Sequence, residues 1–194
     1  MSKQFITVLI SMSLITTACF SQEITPSTPL MNDNCNEYTS LGAKIHSLKK
    51  DVKLFEFQNK DYVWFCLGME TESMIALDIY IDSPALAEAQ NLHMSAQLGQ
   101  WPIGKREEGP QGGNSDKWWR VNGWWANVGS FNGFRDTERK KVKFRGSIGK
   151  EIQLSKNHFG RGDWKLNFNI RGQQSITYPA DVNGKRQTMT IIAK

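Results

Sequence analysis

Few side chains in this sequence stand at spacings that support catalysis. The three histidines, His46, His93 and His158, lie far apart in the chain. No HExxH, no GxSxG and no Cys/His cluster with metal-ligand spacing is present. Glu107 and Glu108 supply two carboxylates, the groups that glycosidases use. They are adjacent, however, in a Gly- and Pro-rich stretch beside Lys105 and Arg106, and read as a solvated loop tip. His158 and Asp163 flank glycines that read as a turn, and Arg161-Gly162-Asp163 is short enough to arise by chance. The sequence therefore predicts no enzyme, no metal and no cofactor.

Binding chemistry is better represented. Four of the seven tryptophans fall in KWWRVNGWWANV, residues 117–128, around the pair Asn122-Gly123. Asn-Gly tolerates the positive φ of a type I′ turn and is the strongest short-range hairpin signal. A turn there predicts cross-strand pairs Val121 with Trp124, Arg120 with Trp125, Trp119 with Ala126 and Trp118 with Asn127. Side chains alternate along strands. One face then carries Trp119, Val121, Trp124 and Ala126 and belongs in the core. The other carries Trp118, Arg120, Trp125 and Asn127. An arginine is not buried cheaply without a partner, and Trp and Arg dominate binding hot spots. These four, with Trp101 from the neighbouring loop, are the expected partner-binding residues. The face assignment depends on the turn, because a shift of one residue inverts it.

The elements that must position these residues read as strands. VKLFEF and YVWFCLG flank QNKD as a hairpin. In SMIALDIYI, Ile75, Leu77, Ile79 and Ile81 alternate with Met74, Ala76, Asp78 and Tyr80. LHMSAQL alternates as one strand, with Leu92, Met94, Ala96 and Leu98 on one face. DWKLNFNIRG is the clearest strand, with Trp164, Leu166, Phe168 and Ile170 on one face. Gly99–Asp116 holds five glycines and two prolines and predicts a long loop, a feature that is uncommon unless functional. Asn132-Gly133 and Asn183-Gly184 predict two further turns, the second closing a hairpin. Leu41, Ile45 and Leu48 have helical spacing and allow one short N-terminal helix. The expected fold is all-β: an antiparallel sandwich, Ig-like or jelly-roll-like, of about eight strands with at most that helix.

The N-terminus bears on location. MSKQ carries one charge, Lys3, and Phe5 to Phe20 carries none, the pattern of an export signal and too short for a bilayer span. Ala18-Cys19 resembles the end of a lipobox, although Thr16 stands where Leu is usual. The expected organisation is a signal over 1–18, Cys19 as lipidation site and first mature residue, a flexible tether over 19–34 and one domain over 35–194. Cys35 and Cys66 then remain as an even pair in an oxidising compartment, where a disulfide is expected.

Residues 22–100 hold 5 Lys and Arg against 11 Asp and Glu, and residues 101–194 hold 18 against 8. This polarity suits an acidic partner or surface unless the halves interleave in space. The basic run RDTERKKVKFR with nearby aromatics would suit nucleic acid, but an export signal argues against it. The expected function is that of a non-catalytic envelope lipoprotein, periplasmic and anchored to the outer membrane through its N-terminal lipid alone. It would bind another envelope protein, as part of an assembly such as a secretion system or as an immunity or inhibitor protein. The alternative is a carbohydrate- or peptidoglycan-binding module that stacks exposed indoles on sugar rings.

Overall fold

The structure, a computed structural model, describes residues 28–49, 51–72, 76–127, 131–136, 141–144, 147–172 and 175–194. The expected signal, Cys19 and the first part of the expected tether lie outside the described residues.

In chain order the strands are β1 (Lys44–Lys49), β2 (Val52–Gln58), β3 (Tyr62–Glu72), β4 (Ala76–Asp82), β5 (Gln90–Met94), β6 (Leu98–Pro102), β7 (Trp124–Ala126), β8 (Phe131–Asp136), β9 (Lys141–Phe144), β10 (Ser147–Ser155), β11 (Gly162–Arg171), β12 (Ile176–Tyr178) and β13 (Met189–Ala193). Two short helices, α1 (Asn36–Ser40) and α2 (Lys156–Phe159), and a 3₁₀ turn at Arg106–Glu108 complete the described elements. One sheet runs β1-β2-β3-β10-β7. A second runs β12-β11-β4-β5-β6, with β13 also paired to β11, and β8 and β9 pair with each other as a separate two-stranded sheet. All pairings are antiparallel. The expected antiparallel β-sandwich is the fold. Strands from the two halves of the sequence share both sheets, so the acidic and basic halves interleave.

The core follows from alternation. Trp164, Leu166, Phe168 and Ile170 of β11 and Leu77, Ile79 and Ile81 of β4 are buried, and meet Val63, Phe65 and Leu67 of β3. The Phe65 and Phe168 rings join the sheets edge-to-face, 5.1 Å between centroids. β3 reads as a continuous apolar run because both of its faces are covered. Trp64 and Cys66 point to a second cluster with Cys35, Tyr38 and Phe55.

The Cys35–Cys66 disulfide is present, with Cα atoms 5.7 Å apart. The last residues of the segment expected as a tether are held against it. The backbone N–H groups of Asn32 and Asp33 donate to Glu151 Oε2 at 2.6 and 2.9 Å, and Gly149 N–H donates to Asp33 O at 2.9 Å. A Cβ at Gly149 would lie 2.6 Å from Asn34 Cα, so this close approach requires glycine.

Several local expectations are corrected. The short helix is α1, and the residues with helical spacing at Ile45 and Leu48 lie in β1. LHMSAQL is two strands, β5 and β6, joined by a turn at Ser95–Gln97, and Leu92, Met94 and Leu98 all remain buried. Asn132-Gly133 lies within β8 and makes no turn there. Asn183-Gly184 does turn, both residues having positive φ, between bridged Val182 and Lys185. The strands on either side of it, β12 and β13, pair end to end along one edge of β11, not with each other.

The tryptophan hairpin does not form. Residues 115–120 are successive turns, with Trp118 N–H donating to Ser115 O and Arg120 N–H to Lys117 O. Trp119 takes φ +67°, an unusual conformation for a bulky residue, while its N–H donates to Leu98 O at 2.8 Å. Asn122 N–H and Trp124 Nε1–H both donate to Gln100 Oε1 at 3.0 Å. Gly123 bends the chain at φ +75° into β7, which pairs with β10. Contacts with β6 and β10 thus override the local hairpin signal.

Candidate functional site

The outward-facing side chains of the second sheet form two cross-strand rows. In the first, Asn167 of β11 stands opposite Tyr80 of β4, Tyr80 opposite Asn91 of β5, and Asn91 opposite Trp101 of β6. In the second, Thr177 of β12 faces Asn169, Asn169 faces Asp78, Asp78 faces His93 and His93 faces Gly99. The residues of a row are direct neighbours, about 4.5–5.5 Å between Cβ atoms. Gly99 leaves a gap at the end of the second row, and the Trp118 indole occupies it. A Cβ at Gly99 would lie 2.9 Å from Trp118 and 3.2 Å from Trp101.

Two loops turn this face into a cleft. The first spans 103–123. Its Trp118 Nε1–H donates to Gly112 O at 2.8 Å, and its Arg106 guanidinium lies 4.4 Å over the Trp101 ring. Gln111 Nε2 donates to Arg106 O at 2.6 Å and fixes the backbone beneath that contact. The second spans 179–188. Asn167, buried, donates through Nδ2 to Pro179 O and to Gln187 O, both at 2.9 Å, and so ties both ends of the loop to the sheet. This loop carries Asp181 and Arg186, and the Arg186 guanidinium lies 4.7 Å over the Tyr80 ring. The cleft is partly open and holds about 290 Å³, just under the range for small-molecule sites, about 300–1,000 Å³.

The cleft floor is a hydrogen-bonded network. Asp78 Oδ1 accepts from Asn91 Nδ2 at 3.0 Å and from His93 Nδ1 at 2.7 Å, and Oδ2 accepts from Arg171. Burial pushes the Asp78 carboxyl up. The hydrogen bonds from His93 and Asn91 and the charges of His93 and Arg171 outweigh that, and hold it below the ordinary carboxylate range. On the other side of the ring, His93 Nε2 lies 3.1 Å from the Ser95 hydroxyl. The His93 ring is tilted against the rings of Trp101 and Trp118, with centroids 5.9 and 5.6 Å away.

An Asp–His–Ser chain is also the relay of serine hydrolases. Here Ser95 closes the β5–β6 turn, its hydroxyl 3.3 Å from Gln97 O and 3.4 Å from Gln97 N, and it is not on the cavity wall. The chain orients the imidazole against the two indoles. Among the described residues no group of three or more His, Cys, Asp and Glu comes together to hold a metal ion.

The five residues expected to bind a partner separate. Trp101 and Trp118 meet at the cleft. Trp125 lies elsewhere, half exposed on the edge strand β7, 6.2 Å from the ring of exposed Trp119. Trp119 was expected in the core, and its positive φ is what turns it outward. Arg120 is exposed and pairs with Asp116 at 2.7 Å. Asn127 is structural: Oδ1 accepts from Glu151 N–H, and Nδ2 donates to Asp33 Oδ1 and to Gly149 O. Glu107 and Glu108 sit on the exposed 3₁₀ turn, as read from the sequence. Arg161 is engaged with backbone carbonyls of Lys60 and Lys194. The sequence reading missed Asp78, Asn91, His93, Asn169, Arg171 and Arg186. Except for Arg186, which lies on a loop, their signal was present in the polar alternates of ALDIYI, QNLHM and NFNIR. These are amides, a histidine and an aspartate, where a merely solvated face usually carries Lys, Glu and Thr.

No family model matches the chain, and no curated protein or solved structure is significantly similar to it. The functional reading rests on the site itself.

Proposed function

We propose that the cleft on the outer face of the second sheet binds a saccharide, and that the protein is a non-catalytic carbohydrate-binding module working outside the cytoplasm. The observation that carries this reading is the pair of cross-strand rows. They present amides, a carboxylate and an imidazole between Tyr80 at one side and Trp101 with Trp118 at the other. A sugar hydroxyl donates one hydrogen bond and accepts up to two, and sugar ring faces pack on aromatic rings. A floor that mixes both hydrogen-bonding roles within aromatic walls meets both needs.

The compartment reading draws on the Cys35–Cys66 disulfide, which persists in oxidising surroundings, and on the uncharged N-terminal run from Phe5 to Phe20. Among the described residues no helix is long and apolar enough to cross a membrane. Lipidation of Cys19 and anchoring to the outer membrane, with peptidoglycan nearby, belong to the same proposal.

Tryptophan fluorescence, titrated with muropeptides and common polysaccharides, tests it. Saturable quenching that is lost in Trp118→Ala supports it. Silence with every glycan contradicts it.

One observation favours a second reading. Trp119 and Trp125 expose 45% and 50% of their surface side by side on the sheet edge, a feature of protein interfaces. Here the protein would bind an envelope protein, as an assembly component or an inhibitor. Capture from solubilised envelopes that Trp119→Ala/Trp125→Ala abolishes, with sugars inert, would favour it over the saccharide reading.

A further inference from the structure

We infer that the ligand of this cleft is acidic: a sugar bearing one carboxylate, clamped between Arg106 and Arg186. The inference rests on the saccharide reading above and names the class of sugar. Three guanidiniums line the cavity, those of Arg106, Arg171 and Arg186. Arg171 is already paired with Asp78. Arg106 and Arg186 have no carboxylate or carbonyl partner for their guanidiniums among the described residues. Each is held over an aromatic ring, Arg106 over Trp101 and Arg186 over Tyr80. A cation–π contact orders a guanidinium without consuming its N–H donors. The donors stay available in the fork geometry that matches a carboxylate.

The placement of the two arginines sets the size of what lies between them. Tyr80 and Trp101 stand in one cross-strand row with Asn91 between them. Two strand spacings separate them, roughly 9–10 Å. A single pyranose ring lying over Asn91 and His93 would bring a substituent within reach of one wall or the other. Among the lining side chains the three arginines outnumber the two carboxylates, Asp78 and Asp181, and an acidic ligand offsets that excess.

Calorimetry on the full-length protein with two matched pairs tests this: D-glucuronate against D-glucose, and N-acetylmuramate against N-acetylglucosamine. In at least one pair the acid should bind about tenfold or more tighter, the scale of one charge-assisted hydrogen bond. That advantage should shrink with added salt. It should fall to near parity in Arg106→Gln/Arg186→Gln, whose exposed side chains can be changed without unfolding, as circular dichroism checks. The acidic class would be overturned by neutral sugars binding as tightly as their acids, which leaves the saccharide reading standing. The clamp would be overturned by an acid advantage that survives in the double variant. Failure of all four sugars to bind would overturn both readings.

Discussion

Single residues separate binding from folding in this protein. Trp118 reaches the cleft only because position 99 lacks a side chain. A Cβ there would press on both Trp118 and Trp101. Gly99→Ala should therefore weaken sugar binding severalfold by displacing the indole, while Trp125→Ala leaves binding unchanged; fluorescence titration distinguishes the two. Asn127 behaves oppositely. It satisfies Glu151 N–H and holds Asp33, and no atom of it lines the cleft. Asn127→Ala should cost about 1–3 kcal/mol of stability through unsatisfied buried groups, read by urea denaturation, with affinity at low temperature unchanged.

Glu151 adds a pH dependence of definite sign. Burial pushes its carboxyl up to about 7, against the lowering effect of the Asn32 and Asp33 backbone N–H groups, with Glu37 and Asp33 adding to the rise. The unfolded chain would titrate near the ordinary value, about 4.3. The folded state is thus favoured while Glu151 holds its proton. That contribution is complete below about pH 4.3 and is lost as pH rises through 7. Stability should fall between pH 5 and pH 8 in the native protein, and Glu151→Gln should flatten the slope in thermal melts across that window.

At the level of elements, two loops make the cleft out of an ordinary sheet face. Asn167 governs one of them. It sits where β11 would otherwise show a solvated residue, yet it is 3% exposed and bridges Pro179 O and Gln187 O. Asn167→Ala should release the segment carrying Arg186. Amide exchange over residues 180–188 should accelerate and ligand affinity should drop, while exchange in β3 and β10 stays slow.

Strands with strict alternation, β4 and β11 above all, were legible because burial on one face leaves a period of two. The β2–β3 hairpin was legible for a different reason: two apolar runs, VKLFEF and YVWFCLG, flank the polar turn QNKD. The tryptophan segment misled because Asn122-Gly123 is a local signal and its competitors are not. Leu98 O, Gln100 Oε1 and Ser155 N–H come from other strands, and together they hold residues 118–124 out of a hairpin. The β5–β6 turn was hidden because Met94 and Leu98 keep the same alternation phase across it. The cleft was half legible. Trp101 and Trp118 were singled out from residue type, but the row that joins Asp78, His93 and Asn169 exists only once register is known.

For the whole molecule, the sandwich is stapled at its N-terminal side. The Cys35–Cys66 disulfide, the Glu151 acceptor and the Gly149–Asn34 approach fasten residues 32–35 to the first sheet. The cleft lies on the second sheet, built from β4, β5, β6, β11 and β12. Cys35→Ser/Cys66→Ser should lower stability by about 2–5 kcal/mol and shift the melting temperature down. Below the new midpoint, affinity for sugar should persist, because no cleft residue belongs to that cluster.

The central claim is that ligand enters the Trp101–Trp118 cleft and not the Trp119–Trp125 edge. Nitrogen-15 NMR of the tryptophan indole N–H groups, titrated with D-glucuronate and N-acetylmuramate, tests it most directly. Progressive, saturable shifts are expected at the Trp101 and Trp118 indoles and at the Asn91 and Asn169 side-chain amides, with Trp119, Trp125 and buried Trp164 unmoved. Shifts confined to Trp119 and Trp125, or no shift with either sugar, would contradict it.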